Sequence, residues 1–255
     1  NIGVLLDLDG VIYQGRALIP GALETIHRLK HNAVPFRFIT NTTRMTKKNL
    51  AGKLRTMGFP ITTNEVFAAP HATIEYCKNR KYTAIDLVVP DKEMEEDFSD
   101  FDLNSDDPQA IVLGDMGMRF TFNLLNSLFN KILNGAELVA MHKNKYWRSG
   151  GGLSLDLGAF VAALEFATEK KAVLIGKPSP HLFQLAVKHW EIPFQSIYMV
   201  GDDIVGDVGG ANNVGMKSVL VKTGKFREEW LGRSKGGPNH VIGSIAELPD
   251  LLQLH

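Results

Sequence analysis

Cysteine is almost missing from this chain: Cys77 is the only one in 255 residues. A lone thiol closes no disulfide framework and builds no cysteine zinc site within one chain. This fits a reducing compartment and gives a cytoplasmic expectation. Excess charge of either sign is missing too, with 28 Lys plus Arg against 28 Asp plus Glu. Without a global basic field, no nucleic acid and no membrane surface is expected as a partner. No apolar run approaches the ~18 residues of a membrane span. The first apolar stretch, Ile2 to Leu6, stops at Asp7, short of the apolar region of a secretory signal. A chain that opens on Asn1 rather than Met is expected to lack a few preceding residues. Internal repeats and low-complexity tracts are also absent.

What is there suits a packed protein. Hydrophobic residues make up 44% and charged residues 22%. At ~100–200 residues per domain, the length suits one large domain or two modest ones. Short β-branched runs alternate with amphipathic segments. Strands are expected at Ile2–Leu6, Phe36–Thr40, Asp86–Val89, Ala110–Leu113, Leu138–Met141, Ala172–Ile175, Ile197–Val200 and Ser218–Val221. Helices are expected at Pro20–Lys30, Lys47–Met57 (closed by Gly58), about Phe122–Leu133 and Ala159–Glu169, with another ending near Gly215. This alternation predicts an α/β fold with mainly parallel sheets. The acid-rich stretch Lys92 to Asp100 reads as a solvated loop or helix face. Ser149 to Gly152 reads as a flexible loop; it lacks the Lys-Ser/Thr that would mark a phosphate cradle.

Four expected strands end in polar residues. In Leu6-Asp7-Leu8-Asp9-Gly10, alternation puts Asp7 and Asp9 on one face. Two acids leaving a buried strand together are costly unless a cation neutralises them. Phe38 to Thr43 ends a strand in Thr40 and Asn41, neutral donors suited to phosphate oxygens or to an N-cap. Gly176-Lys177-Pro178-Ser179-Pro180 presents Lys177 just past an apolar run, as a fixed cation for an anion or as a surface lysine. Val200 to Asp207 ends a strand in Asp202 and Asp203, and Asp207 can turn back from the following helix. Ligands of open α/β sheets gather at the carboxyl ends of strands, so the four sets can act together. A divalent cation takes oxygen ligands, and Mg²⁺ commonly uses one or two carboxylates plus substrate phosphate.

The ordered set DLDGVIYQG (Asp7 to Gly15), ITNTT (Ile39 to Thr43), GKPSP (Gly176 to Pro180) and GDDIVGDVGGA (Gly201 to Ala211) resembles the haloacid dehalogenase superfamily in its phosphatase branch. The long insert between the second and third motifs resembles the C2 cap of subfamily IIA. The resemblance implies a Rossmann-like parallel-sheet core over residues 1–70 and 172–255, with an inserted α/β C2-type cap over 71–171. It also implies Mg²⁺-dependent hydrolysis of small phosphate monoesters or phosphoanhydrides. Asp7 would be the nucleophile, forming an aspartyl-phosphate. Asp9 would be the general acid and base. Thr40, Asn41 and Lys177 would bind the phosphoryl group. Mg²⁺ would sit on the Asp7 and Asp202 carboxylates and the Asp9 backbone carbonyl, with Asp203 and Asp207 outside them. Within the expected cap, Met141 to Arg148 mixes cations with aromatics, so His142, Lys143 and Trp147 are candidate substrate contacts; an exposed basic loop is the alternative. The partner implied is a small phosphorylated metabolite, and a homodimer through the cap stays open. A phosphotransferase or mutase on the same core, or a receiver-like module that accepts phosphate without turnover, would share these motifs.

Overall fold

The computed structural model describes residues 1–149, 152–231 and 236–254. The chain folds into two compact units. One comprises Asn1–Thr40, Lys48–Phe67 and Lys177–His255; the other comprises Asn41–Lys47 and Ala68–Gly176. Among the described residues, no helix is long and apolar enough to cross a membrane.

The chain begins with β1 (Gly3–Leu6), the small hairpin of β2 (Tyr13–Gln14) and β3 (Ala17–Leu18), α1 (Ala22–His31), β4 (Phe36–Thr40), α2 (Lys47–Thr56) and β5 (Val66–Ala68). It continues through α3 (Ala69–Asn79), β6 (Ile85–Val88), β7 (Ala110–Leu113), α4 (Phe122–Leu133), β8 (Glu137–Ala140), β9 (Tyr146–Ser149), β10 (Gly152–Leu155), α5 (Leu157–Thr168) and β11 (Val173–Leu174). It ends with α6 (Pro180–Ala186), β12 (Ile197–Gly201), α7 (Gly210–Asn213), β13 (Lys217–Val221), β14 (His240–Ile242) and α8 (Leu248–Leu251).

The first unit is built on a six-stranded sheet in the order β14-β13-β12-β1-β4-β5. β1 is buried along its whole length, as a strand covered on both faces must be, and pairs in parallel with β12 and β4. On α1, Ala22, Ile26 and Leu29 are buried at helical spacing as one apolar stripe, and Thr25 beside them donates its hydroxyl to the Ile245 carbonyl at 3.0 Å. Phe38 on β4 packs edge-on between the rings of Phe36 and Phe59, with centroids at 5.6 and 5.9 Å.

The second unit has its own four-stranded parallel sheet, β11-β8-β7-β6. Its core joins Ile111, Leu113, Leu138 and Ala140 of the sheet to Leu128 and Ile132 of α4 and Leu157, Val161 and Leu164 of α5. The segment Asn41–Lys47 packs with this unit for a visible reason. The Arg44 guanidinium pairs with Asp115 at 2.5 Å, and the Lys47 backbone N–H donates to Asp97 Oδ2 at 2.8 Å.

Two expectations about connecting segments need correction. Ser149 and Gly152 are strand residues: antiparallel β9 and β10 pair Ser149 with Gly152 and Tyr146 with Leu155. Gly150 and Gly151 lie outside the described residues. The acidic stretch is only partly a solvated face. Met94 and Phe98 are fully buried, and Asp97 turns inward to His71, with Oδ2 and Nε2 3.2 Å apart.

Candidate active site

Register assembles the site. Leu6 stands beside Val200 on one side and Phe38 on the other. The residues that follow therefore reach the same end of the sheet: Asp7, Gly201-Asp202 and Ile39-Thr40. The Asp7 N–H donates to the Val200 carbonyl at 2.9 Å, which locks this alignment. Strand order also reverses at β1, the switch point where open sheets bind ligands. Asp7, Thr40 and Lys177 are each 7% exposed and Asp202 is 1% exposed. Asp9, two residues on, is exposed to solvent.

Lys177 joins two of the acids. Its Nζ lies 2.7 Å from Asp7 Oδ1 and 2.7 Å from Asp207 Oδ1. Asp207 sits in a π-helical turn, Ile204–Gly209, ahead of α7. That turn aims its carboxylate back at the strand end, where Oδ2 accepts the Asp203 N–H at 3.1 Å. A Cβ on Gly201 would overlap the Asp207 carboxylate, so this approach requires glycine. Asp203 is used differently. Its Oδ1 caps the turn by accepting from Val205 and Gly206 N–H at 2.9 Å each, and its Oδ2 faces Lys225 Nζ at 3.4 Å.

The electrostatics follow from burial. Burial alone would lower the Lys177 pKa, but the carboxylates of Asp207 and Asp7 outweigh it and hold the ammonium protonated. Burial, then the charge of Asp7, pushes Asp202 up to about 6. Burial also raises Asp207, against the pull of Lys177. The Tyr13 phenol is pushed up to about 12 by burial, then by Asp9 and Asp7. Oxygens of Asp7, Asp202 and Asp207 all lie within 4.8 Å of one another. Like charges ~4 Å apart cost about 4 kcal/mol at an effective dielectric of 20. With Asp203, four carboxylates face the two ammonium groups of Lys177 and Lys225, an excess of negative charge that calls for a further cation.

The oxygens available fit a divalent ion. Asp207 spends its two oxygens on Lys177 and on the Asp203 N–H. Asp202 Oδ2 accepts the Lys225 N–H at 2.7 Å. Asp202 Oδ1 is buried and has no hydrogen-bond partner among the described residues. A buried, unsatisfied carboxylate oxygen is costly unless a cation meets it. With the Asp7 carboxylate beside it, the donor set has the hard, two-carboxylate character of a Mg²⁺ site.

The other sequence candidates belong to the second unit. Asn41 directly follows Thr40, and its Oδ1 lies 2.5 Å from where a Cβ on Gly176 would stand. His142 is 4% exposed. Its Nδ1 accepts the Asn144 N–H at 3.3 Å, and Nε2 lies 3.8 Å from Asp156 Oδ1. Burial holds its pKa low despite Asp156 and Asp115. Lys143 pairs with Glu165 at 2.5 Å. Trp147, on β9, is 45% exposed. The side chain of Arg148 lies outside the described residues.

Sequence reasoning missed the turn after β13. The Thr223 hydroxyl donates to the Gly10 carbonyl at 2.5 Å, and the Lys225 N–H holds Asp202. The strand-end rule that located the sets after β1, β4 and β12 applies here too, whereas Lys177 follows β11 of the other sheet. Lys222-Thr223-Gly224-Lys225 follows the apolar run Ser218–Val221, but it carries no paired acids to draw attention.

A family model described as haloacid dehalogenase-like hydrolase matches residues 4–104, and a second HAD-hydrolase-like model matches residues 174–248. Haloacid dehalogenase-like hydrolase domain-containing protein 2 of Rattus norvegicus is 39% identical over 88% of this chain and 85% of its own length. Phospholysine phosphohistidine inorganic pyrophosphate phosphatase of Homo sapiens is 35% identical over 99% of this chain and 94% of its own. Among solved structures, the 4-nitrophenylphosphatase of Thermotoga maritima superposes with a TM-score of 0.89. It has 29% identity and covers 97% of this chain and 95% of its own.

Proposed function

Because the chain belongs to the haloacid dehalogenase-like hydrolase family, we propose that it is a Mg²⁺-dependent phosphohydrolase of small phosphate monoesters or phosphoanhydrides, working through an aspartyl-phosphate. The observation that carries this reading is the buried, unpartnered Oδ1 of Asp202 beside Asp7, whose own carboxylate is already fixed by Lys177. The phosphatases among its relatives support the same class.

The Asp7 and Asp202 carboxylates and the Asp9 backbone carbonyl would hold the ion. When bound, Mg²⁺ supplies positive charge to the oxygens of the phosphoryl group. An Asp7 oxygen forms a bond to phosphorus as the bond to the leaving oxygen breaks, and Asp9 gives that oxygen its proton. Asp9 is the exposed acid of the pair, which suits a group that must trade protons with substrate and water. In the second half, Asp9 takes a proton from water, the water oxygen joins phosphorus, and the Asp7 carboxylate is released. Thr40 and Asn41 donate to the phosphoryl oxygens. Lys177, kept charged by its buried partners, stabilises the oxygens in flight. Asp207 keeps Lys177 in place, and Asp203 holds the turn that carries Asp207.

We assign the second unit the part of a C2-type cap that selects the substrate, a small phosphorylated metabolite. Of the three residues marked there by the sequence, Trp147 has the free surface for such a contact, whereas Lys143 is committed to Glu165. We further assign a cytoplasmic location, which the single cysteine favours, and a homodimer through the exposed β9–β10 hairpin.

The test is phosphate release from p-nitrophenyl phosphate. Release requires Mg²⁺ and stops with a chelator, and D7N lowers kcat on the order of 10⁴-fold or more. D9N accumulates phosphorylated protein detectable by mass spectrometry. Turnover by D7N at the wild-type rate would reject the covalent route.

A further inference from the structure

We propose that the turn Thr223–Lys225 is a positioning element for the cation site, holding Asp202 and the Asp9–Gly10 turn in register so that one divalent ion meets both. The proposal rests on the reading of Asp7 and Asp202 as cation ligands and adds a part of the chain that none of the four motifs contains.

Both peptide groups of Gly10 are pinned. Its N–H donates to the Tyr13 carbonyl at 2.7 Å. That bond fixes the plane of the Asp9–Gly10 peptide and turns the Asp9 carbonyl the opposite way. Its carbonyl accepts the Thr223 hydroxyl at 2.5 Å. Thr223 thus ties the loop after β1 to the loop after β13, two strands that are not neighbours in the sheet. They are separated by β12, the strand that delivers Asp202.

The same turn sets the rotation of Asp202. The Lys225 N–H takes Oδ2 at 2.7 Å, which leaves Oδ1 as the oxygen without a partner. Gly10 and Gly224 close on this carboxylate from two sides. Gly10 has φ +80° and Gly224 has φ +68°, and a Cβ on either would overlap Asp202 Oδ2. A Cβ on Gly224 would also come within 2.7 Å of the Gly10 Cα. Left-handed backbone at both positions, with a carboxylate wedged between them, leaves room only for hydrogen. Asp202 is therefore aimed by its surroundings before any ion arrives.

Manganese binding separates positioning from mere support. Wild type, titrated with Mn²⁺ and followed by the paramagnetic resonance of the free ion, takes up one equivalent that Mg²⁺ displaces. T223V keeps the shape of the side chain but leaves the Gly10 carbonyl unpaired, and it binds Mn²⁺ about 5–10-fold more weakly. T223S, which restores the hydroxyl, returns to within about twofold of wild type. If T223V does not fold, T223A carries the same comparison. A T223V that melts earlier without metal yet binds Mn²⁺ as tightly as wild type overturns the positioning role alone. A wild type that binds no Mn²⁺ overturns the cation reading and this inference with it.

Discussion

Asp202 and His71 show how a single side chain reports on what surrounds it. Without an ion, Asp202 is buried beside Asp7 and Asp207, and the ammonium groups of Lys177 and Lys225 offset only part of their charge. Replacing it by Asn removes one of the repelling charges. D202N in a chelator should therefore melt higher than chelated wild type, by roughly 2–4 °C for each kcal/mol of repulsion relieved. Mg²⁺ should raise the melting temperature of wild type but not of D202N. An equal Mg²⁺ shift in both would place the cation elsewhere. His71 gives the pH prediction. Its Nδ1 accepts the Ala68 N–H at 3.0 Å, so a proton there would face another proton. Burial outweighs the pull of Asp97 and lowers its pKa below 6.5. Lys47 adds a smaller push in the same direction. The folded chain then binds fewer protons at His71 than the unfolded chain does. Stability is lost as pH falls below 6.5, down to the depressed folded value. H71Q can accept from Ala68 and donate to Asp97 without titrating. Between pH 7.5 and 5, its melting temperature should fall less than that of wild type, as thermal unfolding across that range would show. Parallel curves would remove His71 as the cause. Asp7 and Asp202 were legible in the sequence because each follows an apolar strand of one sheet, whereas Lys177 follows β11, a strand of the other sheet, and was picked out by its apolar run alone. His71 was not, since nothing in Ala69-Pro70-His71 shows that Asp97, far along the chain, turns inward to meet it.

Elements were legible in proportion to how purely their residues follow one period. β4 and α4 lie where their patterns put them, at Phe36–Thr40 and Phe122–Leu133. α3 gave little warning. It buries residues on much of its surface, including Pro70, His71, Thr73 and Cys77, so no clean stripe marks it. β14 is three residues long and its Val241 is exposed, which is too little to count as a pattern. The β9–β10 hairpin was hidden by glycines that look like a loop when read alone. Where the pattern was clear, packing should be demanding. Phe38 is fully buried between two rings. F38A leaves a cavity in the sheet that carries Asp7 and Thr40 and should cost about 3–5 kcal/mol, read as a lowered midpoint of urea unfolding. A loss under ~1 kcal/mol would mean that the neighbouring rings collapse into the space.

At the scale of the whole molecule, the sequence did not show that Asn41–Lys47 and residues 172–176, both expected in the core, would pack with the second unit, because the bonds that decide it run to Asp97 and Asp115 and from β11 to β8. The assembly question turns on the hairpin. Two strands alone are marginal in water, yet among the described residues β9 and β10 form a sheet of two. Tyr146 pairs with Leu155, and Leu153 lies two residues before Leu155, hence on the same face. Tyr146, Leu153 and Leu155 are 59, 62 and 65% exposed. A face that carries Tyr146, Leu153 and Leu155, with Arg148 at the register position opposite Leu153, on a marginal element is the kind of surface that association covers. A second copy of the chain offers the same face, and a two-fold interface needs a patch that complements itself. Wild type at micromolar concentration should therefore sediment as a dimer. L153D with L155D would place two charges on that face and should sediment as a monomer, with Mn²⁺ affinity unchanged because the ligands lie in the other unit. A wild-type monomer at every concentration tested, or a dimer that survives both substitutions, would remove the hairpin as the interface.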